Sequence, residues 1–388
     1  MGLILLRYGE IALKGRNRTY FYRKLRHNLR QCLQQNGIEG KVWQAGQRFY
    51  LETGQVAEAI EAAQRVFGIV SLSPVQVVPA DMDAISEEAL ALARRVGLDP
   101  SQTFRVKVRR PDKSFPLNSL EVGRQVGAAI ATTTGARVDL SRDAQVTVGI
   151  EIHPGQAMIF GERIPGPGGL PLGSGGRVVS LISSGIDSPV ATWLMMKRGC
   201  SVIPLHFSTG PAQTQQVEAI VSALNRYVHG RKLEPIILSH HEMLAPMLER
   251  LQEHRGERWA CLFCKRAMLA KAAELAEEMG AGAIVTGDSL GQVASQTLSN
   301  LEVISYGIQK PILRPLIGMD KTEIMALARR IGTFEPSIDS SHTCPFLPDH
   351  PLTQASVPKL RALLAQMEKA GPDEAPSAAG RRRSGDNG

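Results

Sequence analysis

The segment that most constrains the fold runs from Val178 to Pro189, where a strand, a small-residue turn and a helix start follow one another within twelve residues. Val178–Ile182 is a short apolar run, typical of a parallel strand covered on both faces, and Pro189 favours the first turn of a helix. Backbone N–H groups of the intervening turn, residues 183–188, meet at the helix N-terminus, which predicts a phosphate site. The alternative is an ordinary Ser/Gly-rich turn.

Strands and helices alternate regularly after this segment. The alternation predicts an α/β fold with a doubly wound parallel sheet, whose ligand lies at the carboxyl ends of the strands. Two adjacent strands end at Leu181-Ile182 and at His206-Phe207, where an adenine ring is expected to lie. For His206, a histidine satisfied within the fold is an equal alternative.

The 388 residues are enough for two or three domains. A Gly/Pro-rich stretch, residues 166–176, predicts a linker between the sheet domain and the α+β patterns before it. Residues 371–388 are rich in Pro, Gly, Ser and charge, which predicts a disordered tail. Since no apolar run reaches membrane-spanning length and no secretory signal is recognised, we expect a cytoplasmic protein without a membrane partner.

The net charge of +8 resides in the N-terminal residues: positions 1–50 contain ten Lys or Arg against two acids, and the remainder is balanced. A basic module on a neutral body predicts a polyanionic partner, with nucleic acid the leading candidate. A solvated surface without a partner is the alternative. The candidate contacts around the first predicted helix are Lys14, Arg16, Arg18 and Lys24.

A second basic row lies on the predicted strand Thr103–Arg109. Alternation places Phe104, Val106 and Val108 on one face and Arg105, Lys107 and Arg109 on the other, and Arg110 follows directly. Such a row is usually a wet face of a sheet, but its position upstream of Arg110-Pro-Asp-Lys-Ser-Phe115 makes it a candidate RNA surface.

The five cysteines form a sparse, odd-numbered set, unlike a secreted disulfide framework. Cys261-Leu-Phe-Cys264 and the distant Cys344 suit metal or Fe–S ligation, or persulfide and disulfide exchange. Incidental buried cysteines are the alternative for an isolated C-x-x-C pair. Cys32 and Cys200 are assigned to packing.

Another strand-to-turn segment is Ala283-Ile-Val-Thr-Gly-Asp-Ser-Leu-Gly-Gln-Val-Ala-Ser-Gln-Thr297. Its small and polar residues are expected to face one crevice: Gly287, Ser289, Gln292, Ser295 and Gln296.

These motifs resemble known families. The turn at Ser183–Ser188 is similar to the pyrophosphate loop (PP-loop) of N-type ATP pyrophosphatases, with Ser184 in place of a usual glycine. The segment 103–133 resembles a THUMP domain and the basic unit before it a ferredoxin-like domain. Together with the 283–297 motif, residues 1–355 resemble the tRNA 4-thiouridine synthetases (tRNA uridine 4-sulfurtransferases) in their short form, without a rhodanese domain. The expected domains are 1–58 ferredoxin-like, 59–165 THUMP, 166–176 linker and 177–370 PP-loop ATP pyrophosphatase.

The resemblance implies that the protein uses ATP and Mg²⁺ to adenylate uridine 8 of tRNA and then replaces O4 with sulfur. It also implies that the protein supplies sulfur for the thiazole of thiamine. Asp187, the sole carboxylate of the turn, would act through magnesium or by orienting a donor, with Lys321 in support, and Cys344 would handle sulfur. The implied ATP-binding residues are Leu181, Ile182, Ser183, Ser184, Gly185, Asp187, Ser188, His206, Phe207, Lys265, Gly287 and Gln296.

Two sulfur carriers stay open: a [4Fe–4S] cluster on Cys261, Cys264 and Cys344, or a persulfide on Cys344 resolved by one of the pair. A cysteine desulfurase or another donor, a thiazole-pathway sulfur-carrier protein and a homodimer are the expected partners besides tRNA. The competing functions are another PP-loop RNA-modifying enzyme, a small-molecule ATP pyrophosphatase or ligase, and a THUMP-type RNA-binding protein or methyltransferase. The last is disfavoured because residues 183–188 lack the G-x-G spacing of a dinucleotide loop.

Overall fold

The computed structural model describes residues 1–111, 113–338 and 352–369. Cys344 and the predicted tail lie outside these residues. The chain divides into two compact units. Unit 1 contains residues 1–176, 195–201 and 225–233, and unit 2 contains the other described residues. None of the helices in the described ranges is long and apolar enough to cross a membrane.

Unit 1 is an α+β structure on one mixed sheet. Its elements are β1 (Gly2–Tyr8), α1 (Arg18–Gln35), β2 (Gly40–Ala45), β3 (Arg48–Thr53), α2 (Val56–Ala63), β4 (Ile69–Pro79), α3 (Met82–Arg95), β5 (Thr103–Arg109), α4 (Ser119–Thr134), β6 (Arg137–Val138), β7 (Val146–His153), β8 (Gln156–Phe160) and β9 (Ile164–Pro165). The strand order is β2-β3-β1-β4-β8-β7-β5-β6, and β9 also pairs with β4. The segment between β1 and α1 forms two short 3₁₀ turns.

Helices α1 to α4 bury their apolar stripes on one face of this sheet. Leu25, Leu29 and Leu33 recur every four residues on α1 and pack with Ile4 and Leu6 of β1. A second cluster joins α3 and α4 to β5, β7 and β8. The opposite face carries a smaller cluster drawn from strand residues. We call this the helix-free sheet face, and its apolar members are Leu3, Leu5, Trp43, Tyr50, Val75, Met158 and Phe160, all of them buried except Leu3 and Trp43.

Unit 2 has the predicted β–α alternation. Its elements are β10 (Arg177–Leu181), α5 (Asp187–Lys197), β11 (Ser201–Ser208), α6 (Pro211–Leu224), β12 (Ile236–Ser239), α7 (His240–Glu253), α8 (Ala260–Glu278), β13 (Ala283–Val285), α9 (Leu298–Ser305), β14 (Ile312–Leu313), α10 (Lys321–Ile331), α11 (Phe334–Ile338) and α12 (Val357–Lys369). The strand order is β12-β11-β10-β13-β14, with parallel pairing of β11–β12, β10–β13 and β13–β14.

The strand order of the sheet in unit 2 determines where a ligand crevice can form. The chain lays β11 and β12 on one side of β10 and then returns to place β13 and β14 on the other. Loops that follow β10 and β13 therefore leave the sheet in opposite directions and leave a gap between them. The turn 183–188 follows β10 and the 283–297 segment contains β13, so both predicted motifs meet at this gap.

Some elements were not predicted from the sequence. Helices α9, α11 and α12 and strands β6 and β14 were missed. All of these except α12 have eight residues or fewer, which is too short for a periodic pattern to be recognised. The alternation of residues 156–164 predicts a single strand, but this segment forms two strands, β8 and β9, which pair with different parts of β4.

Candidate functional site

The turn after β10 is stabilised by hydrogen bonds between its own serine residues. The Oγ of Ser188 accepts a hydrogen bond from the backbone N–H of Ser183 at 2.8 Å and lies 3.0 Å from the Ser183 Oγ. Beneath the turn, Thr192 Oγ1 donates to the Ser188 carbonyl at 2.8 Å and contacts Ser180 Oγ at 2.8 Å. Since α5 begins at Asp187, the turn presents free backbone donors at a helix N-terminus.

Small residues bring two segments into close contact at this turn. A Cβ on Gly287 would lie 2.8 Å from the Ser188 nitrogen and 3.1 Å from the Asp187 carbonyl carbon, so a side chain there would push the turn away from β13. Gly185 has its nearest neighbour at 3.7 Å and leaves room in front of the turn. Ser184 is not strained, since within the described ranges Arg255 is the non-glycine residue with positive φ.

A cavity of about 270 Å³ lies at the ends of β10, β11 and β13. Of the twelve predicted ATP-binding residues, Ser184 does not line it, and it is 8% exposed beside the others. Sequence reasoning missed seven lining residues: Leu205, Gln213, Met268, Leu269, Thr286, Asp288 and Ile304.

His206 is 1% exposed and lines this cavity. Its Nδ1 donates to the Ile182 carbonyl at 3.0 Å, which leaves Nε2 as the acceptor nitrogen. Burial lowers the pKa of His206 below its ordinary value, although the bond to Ile182 opposes the shift. In the described part of the chain Nε2 has no hydrogen-bond partner, so the alternative of a fully satisfied histidine is not what the structure shows.

Asp288 is the main residue of the site that the sequence did not single out. It is 6% exposed, and its carboxylate accepts from Lys265 Nζ at 3.1 Å and Thr286 Oγ1 at 2.7 Å. Gln296 Nε2 donates to it at 3.3 Å and Arg314 Nε at 3.4 Å. Burial would raise the pKa of Asp288, but the Lys265 charge and these hydrogen bonds outweigh it, and the net pKa is lowered. The signal available was an acid three residues after the end of the buried strand β13.

Asp187 and Lys321, the predicted adenylation pair, are brought together. Lys321 Nζ donates to Asp187 Oδ1 at 2.6 Å, and Gln292 Nε2 donates to Oδ2 at 2.8 Å. Both residues open helices, Asp187 in α5 and Lys321 in α10, so the contact links two helix N-termini. Both carboxylate oxygens are engaged with donors, which favours the alternative that Asp187 orients donor groups over direct magnesium ligation.

The other residues that were predicted to face the crevice fall into two groups, those that contact the carboxylates of the site and those that do not line the cavity. Gln292 and Gln296 contact Asp187 and Asp288 respectively. Ser289 is 4% exposed and donates to the Met319 carbonyl at 2.9 Å, so it supports the loop instead of lining the cavity. Ser295 does not line the cavity either.

The C-x-x-C pair lies on the first turns of α8, immediately before Lys265. Cys261 and Cys264 are partly exposed, and the Cys264 Sγ lies 3.1 Å from Nε2 of His240, the first residue of α7. The third predicted thiol, Cys344, is outside the described residues. Within those residues no three His, Cys, Asp or Glu side chains form a metal-binding group. Cys32 and Cys200 are buried, in agreement with the packing assignment.

The predicted RNA contacts in unit 1 form two groups. Lys14 and Arg16 belong to the turns before α1, and Arg18 and Lys24 to α1 itself. Arg105, Lys107 and Arg109 point to the helix-free sheet face, opposite the buried Phe104. Arg110 differs from these, because its Nη1 donates to the carbonyls of Phe115 and Leu117 at 2.6 and 2.8 Å and so holds the loop before α4.

Comparison with known proteins covers both units. The model of the ThiI ferredoxin-like domain matches residues 3–73 and the THUMP domain model residues 79–162. The model of thiamine biosynthesis protein (ThiI) matches residues 173–368.

Two curated relatives are each named a probable tRNA sulfurtransferase. The Thermococcus kodakarensis protein is 42% identical over 367 residues, which are 93% of this chain and 96% of the relative. The Methanocaldococcus jannaschii protein is 40% identical over the same shares of the two chains.

Two solved structures are similar over most of the chain. One is described as a 4-thiouridine synthetase–RNA complex with bound ATP, with a TM-score of 0.80, 32% identity and coverage of 95% of each chain. The other, PH1313 from Pyrococcus horikoshii, has a TM-score of 0.64 and 30% identity and covers 86% of this chain and 100% of that one. The resemblance drawn from the sequence is confirmed: the chain belongs to the ThiI family, whose relatives are named tRNA sulfurtransferases.

Proposed function

We propose that this chain is an ATP-dependent tRNA sulfurtransferase that adenylates uridine 8 and replaces its O4 with sulfur, giving 4-thiouridine. The observation that carries the proposal is the cavity between β10 and β13, which eleven of the twelve predicted nucleotide residues line. The likeness to a 4-thiouridine synthetase over 95% of both chains supports the same reaction.

The adenosine end of ATP fits the apolar part of the cavity. Leu181, Phe207, Met268 and Leu269 supply its walls. His206 adds one polar contact, since its Nε2 is a buried acceptor and the amino group of adenine is a donor. A buried acceptor left without a partner costs about 1–3 kcal/mol, so a base that donates at this position is preferred.

The phosphates of ATP fit the polar end of the cavity. Backbone N–H groups of the turn 183–188 face them without a side chain in between, because Gly185 leaves the space open. Lys265 and Lys321 bring positive charge to the same end, each positioned by a carboxylate, Asp288 and Asp187. Mg²⁺ bound to the phosphates would supply further charge neutralisation.

This arrangement suits activation of a carbonyl oxygen. The oxygen at C4 of uracil is a poor leaving group, and transfer of AMP to it converts it into a good one. The negative charge that develops on the phosphoryl oxygens and on the departing pyrophosphate during this transfer is offset by fixed cations and dipoles, commonly the largest contribution to such catalysis. Asp187 holds the Lys321 amine in position for this task.

For the sulfur step, Cys261 and Cys264 are three residues apart on α8 and so emerge on the same side of the helix, next to Lys265. Two partly exposed thiols at this spacing fit two ligands of a [4Fe–4S] cluster, with Cys344 as the third, and such a cluster would supply an open iron for sulfide. They also fit the resolving thiols for a persulfide on Cys344, and we favour the cluster because the C-x-x-C pair adds two thiols to Cys344. The sulfur donor, the thiazole branch, the homodimer and the cytoplasmic location stay predictions.

Two other functions are less well supported. A methyltransferase would need a dinucleotide-type glycine loop, which residues 183–188 do not have. A small-molecule ATP pyrophosphatase or ligase would not need unit 1, whose matches to ferredoxin-like and THUMP models account for 3–73 and 79–162.

Asp187→Ala is expected to abolish adenylation and to leave tRNA affinity within a few-fold, because the carboxylate positions Lys321 while the basic candidates belong to unit 1. AMP transfer from labelled ATP and tRNA binding by filter retention measure the two effects. Asp187→Asn, which keeps one acceptor oxygen for Lys321, should retain more activity than Ala. Parallel loss of tRNA binding and adenylation would refute this division of labour.

Asp288→Asn is expected to weaken ATP binding about 10- to 150-fold, because Lys265 and Arg314 lose a charge-assisted partner at roughly 1.5–3 kcal/mol. Isothermal titration calorimetry measures the affinity. Glu274→Gln, an acid-to-amide change at an exposed partner of Lys271, is the matched control and should bind ATP normally. An unchanged affinity in Asp288→Asn contradicts the role given to this carboxylate.

Replacing Arg16, Arg18 and Lys24 together is expected to lower the slope of log K for tRNA against log salt by up to roughly 3, since each phosphate contact contributes about 0.7–0.9. Binding measured at four or five salt concentrations gives the slope. Lys271→Ala removes a lysine from unit 2 as a control. A slope equal to that of the wild type would mean that this surface is solvated only.

Anaerobically purified protein is expected to contain iron and sulfide, and Cys261→Ala or Cys264→Ala to lose both along with thiolation. Elemental analysis and 4-thiouridine formation are the measurements, with Cys200→Ala, a buried thiol assigned to packing, as control. Iron-free protein that still transfers sulfur from a cysteine desulfurase excludes the cluster. Full activity in both α8 variants, with loss in Cys344→Ala, leaves Cys344 to act alone.

A further inference from the structure

The segment after β11 brings a glutamine side chain to the nucleotide cavity. Gln213 lies in the first turn of α6, which begins at Pro211, and it is one of the residues that line this cavity. Strand β11 is adjacent to β10 on the side away from β13. Gln213 therefore belongs to the same end of the cavity as His206, the adenosine end, and lies across it from Asp288 and Gln296, which follow β13.

The side-chain amide of Gln213 is held in one orientation. Its Oε1 accepts hydrogen bonds from the backbone N–H and from the hydroxyl of Thr209, both at 3.0 Å. Since an amide nitrogen cannot accept a bond from a backbone N–H, the oxygen has to be the atom that faces Thr209. The Nε2 of Gln213, with two N–H donors, is then the atom left for a ligand.

The loop that carries this glutamine is stabilised by its own side chains before any ligand binds. Ser208 Oγ donates to the Gly210 carbonyl at 3.1 Å, and the Gly210 N–H donates back to Ser208 Oγ at 3.2 Å. The hydroxyls of Ser208 and Thr214 lie 2.7 Å apart, which joins the end of β11 to the first turn of α6. A donor that is already fixed in position loses little conformational entropy on binding, so its hydrogen bond contributes more to affinity.

Exposure indicates which part of adenosine meets this donor. His206 is 1% exposed and lies at the deep end, where the amino group of adenine fits, whereas Gln213 is partly exposed and so lies nearer the mouth. The ribose connects the base to the phosphates and is the more solvated part of the nucleoside. Its hydroxyl oxygens accept hydrogen bonds, as the hydroxyls of serine and threonine do.

A purely local role would use only the oxygen of Gln213. Gln213 is the third residue of α6, and a glutamine at this position commonly reaches back to a backbone N–H that precedes the helix. The bond from Thr209 N–H to Gln213 Oε1 resembles this capping arrangement. Capping does not require Nε2, so ligand discrimination separates the two roles.

We propose that Gln213 is a specificity-determining residue whose Nε2 donates a hydrogen bond to a ribose hydroxyl of ATP and so selects a ribonucleotide. The inference rests on the proposed function, in which ATP is the nucleotide, and adds a contact to its sugar. Fixing the ribose between His206 and the turn 183–188 would also direct the α-phosphate towards the backbone donors of that turn.

The test is isothermal titration calorimetry of the full-length protein with Mg²⁺ and without tRNA, using ATP, 2′-deoxyATP and 3′-deoxyATP. The wild type is expected to bind at least one deoxynucleotide about 2- to 12-fold more weakly than ATP, the contribution of one hydrogen bond between uncharged groups. Gln213→Ala should bind ATP more weakly by the same factor and that deoxynucleotide with unchanged affinity. Because nucleotides are compared within each variant, a loss of helix stability does not alter the ratio.

Gln213→Glu is the conservative variant that should restore discrimination. Its carboxylate still accepts from Thr209, and its second oxygen can accept from a ribose hydroxyl, which donates as readily as it accepts. The added negative charge should lower the affinity for all three nucleotides, but ATP should again bind more tightly than the deoxynucleotide. Gln215→Ala is the matched control, because Gln215 is an exposed glutamine of the same helix that is not among the described lining residues, and it should behave as the wild type.

Three results would overturn the proposal. They are equal binding of ATP and both deoxynucleotides by the wild type, discrimination that persists in Gln213→Ala, and a loss in Gln213→Ala that is the same for all three nucleotides. The last would mean that Gln213 contacts the base or acts only through the loop. In each of these cases ATP binding by the wild type leaves the proposed function intact, whereas a wild type that binds none of the three nucleotides removes both.

Discussion

The site depends on one close approach, that of Gly287 to the backbone of the phosphate turn. The distance of 2.8 Å from a virtual Cβ to the Ser188 nitrogen leaves no room for a side chain. Because β10 and β13 are adjacent parallel strands, the segments that follow them share one edge of the sheet. The absence of a side chain at Gly287 lets the second segment pack on the first, and the polar residues that follow it then face the same cavity.

Charge placement follows from this contact. Asp288 is the next residue after Gly287, so the close approach carries a buried carboxylate to the rim of the cavity. There its carboxylate forms ion pairs with Lys265 of α8 and with Arg314 at the end of β14. These two residues come from different elements and meet at Asp288. A second pair, Asp187 with Lys321, closes the opposite side of the turn. Each lysine is therefore held by a carboxylate from another element: Lys265 by Asp288 in the loop after β13, and Lys321 by Asp187 at the start of α5.

Site residues that belong to local sequence motifs could be predicted, whereas contacts between residues far apart in the sequence could not. The phosphate turn, Lys265 and Gln296 were found because motifs and the family resemblance mark them. Asp288 was within a quoted motif, yet its importance lies in Arg314 and Lys265, which are 26 and 23 residues away and reach it through the fold alone.

Strand β4 has a consequence for how unit 1 can be divided. Its residues 69–75 bond to β1 and 76–79 to β8, so one strand serves as the seam between a ferredoxin-like part and a THUMP part. A cut at any point in this strand would leave a neighbouring strand with bare N–H and C=O groups, a surface prone to pairing with other chains. The two parts are thus not interchangeable modules: recombination that separated them would yield an aggregation-prone fragment, and they are expected to be inherited together.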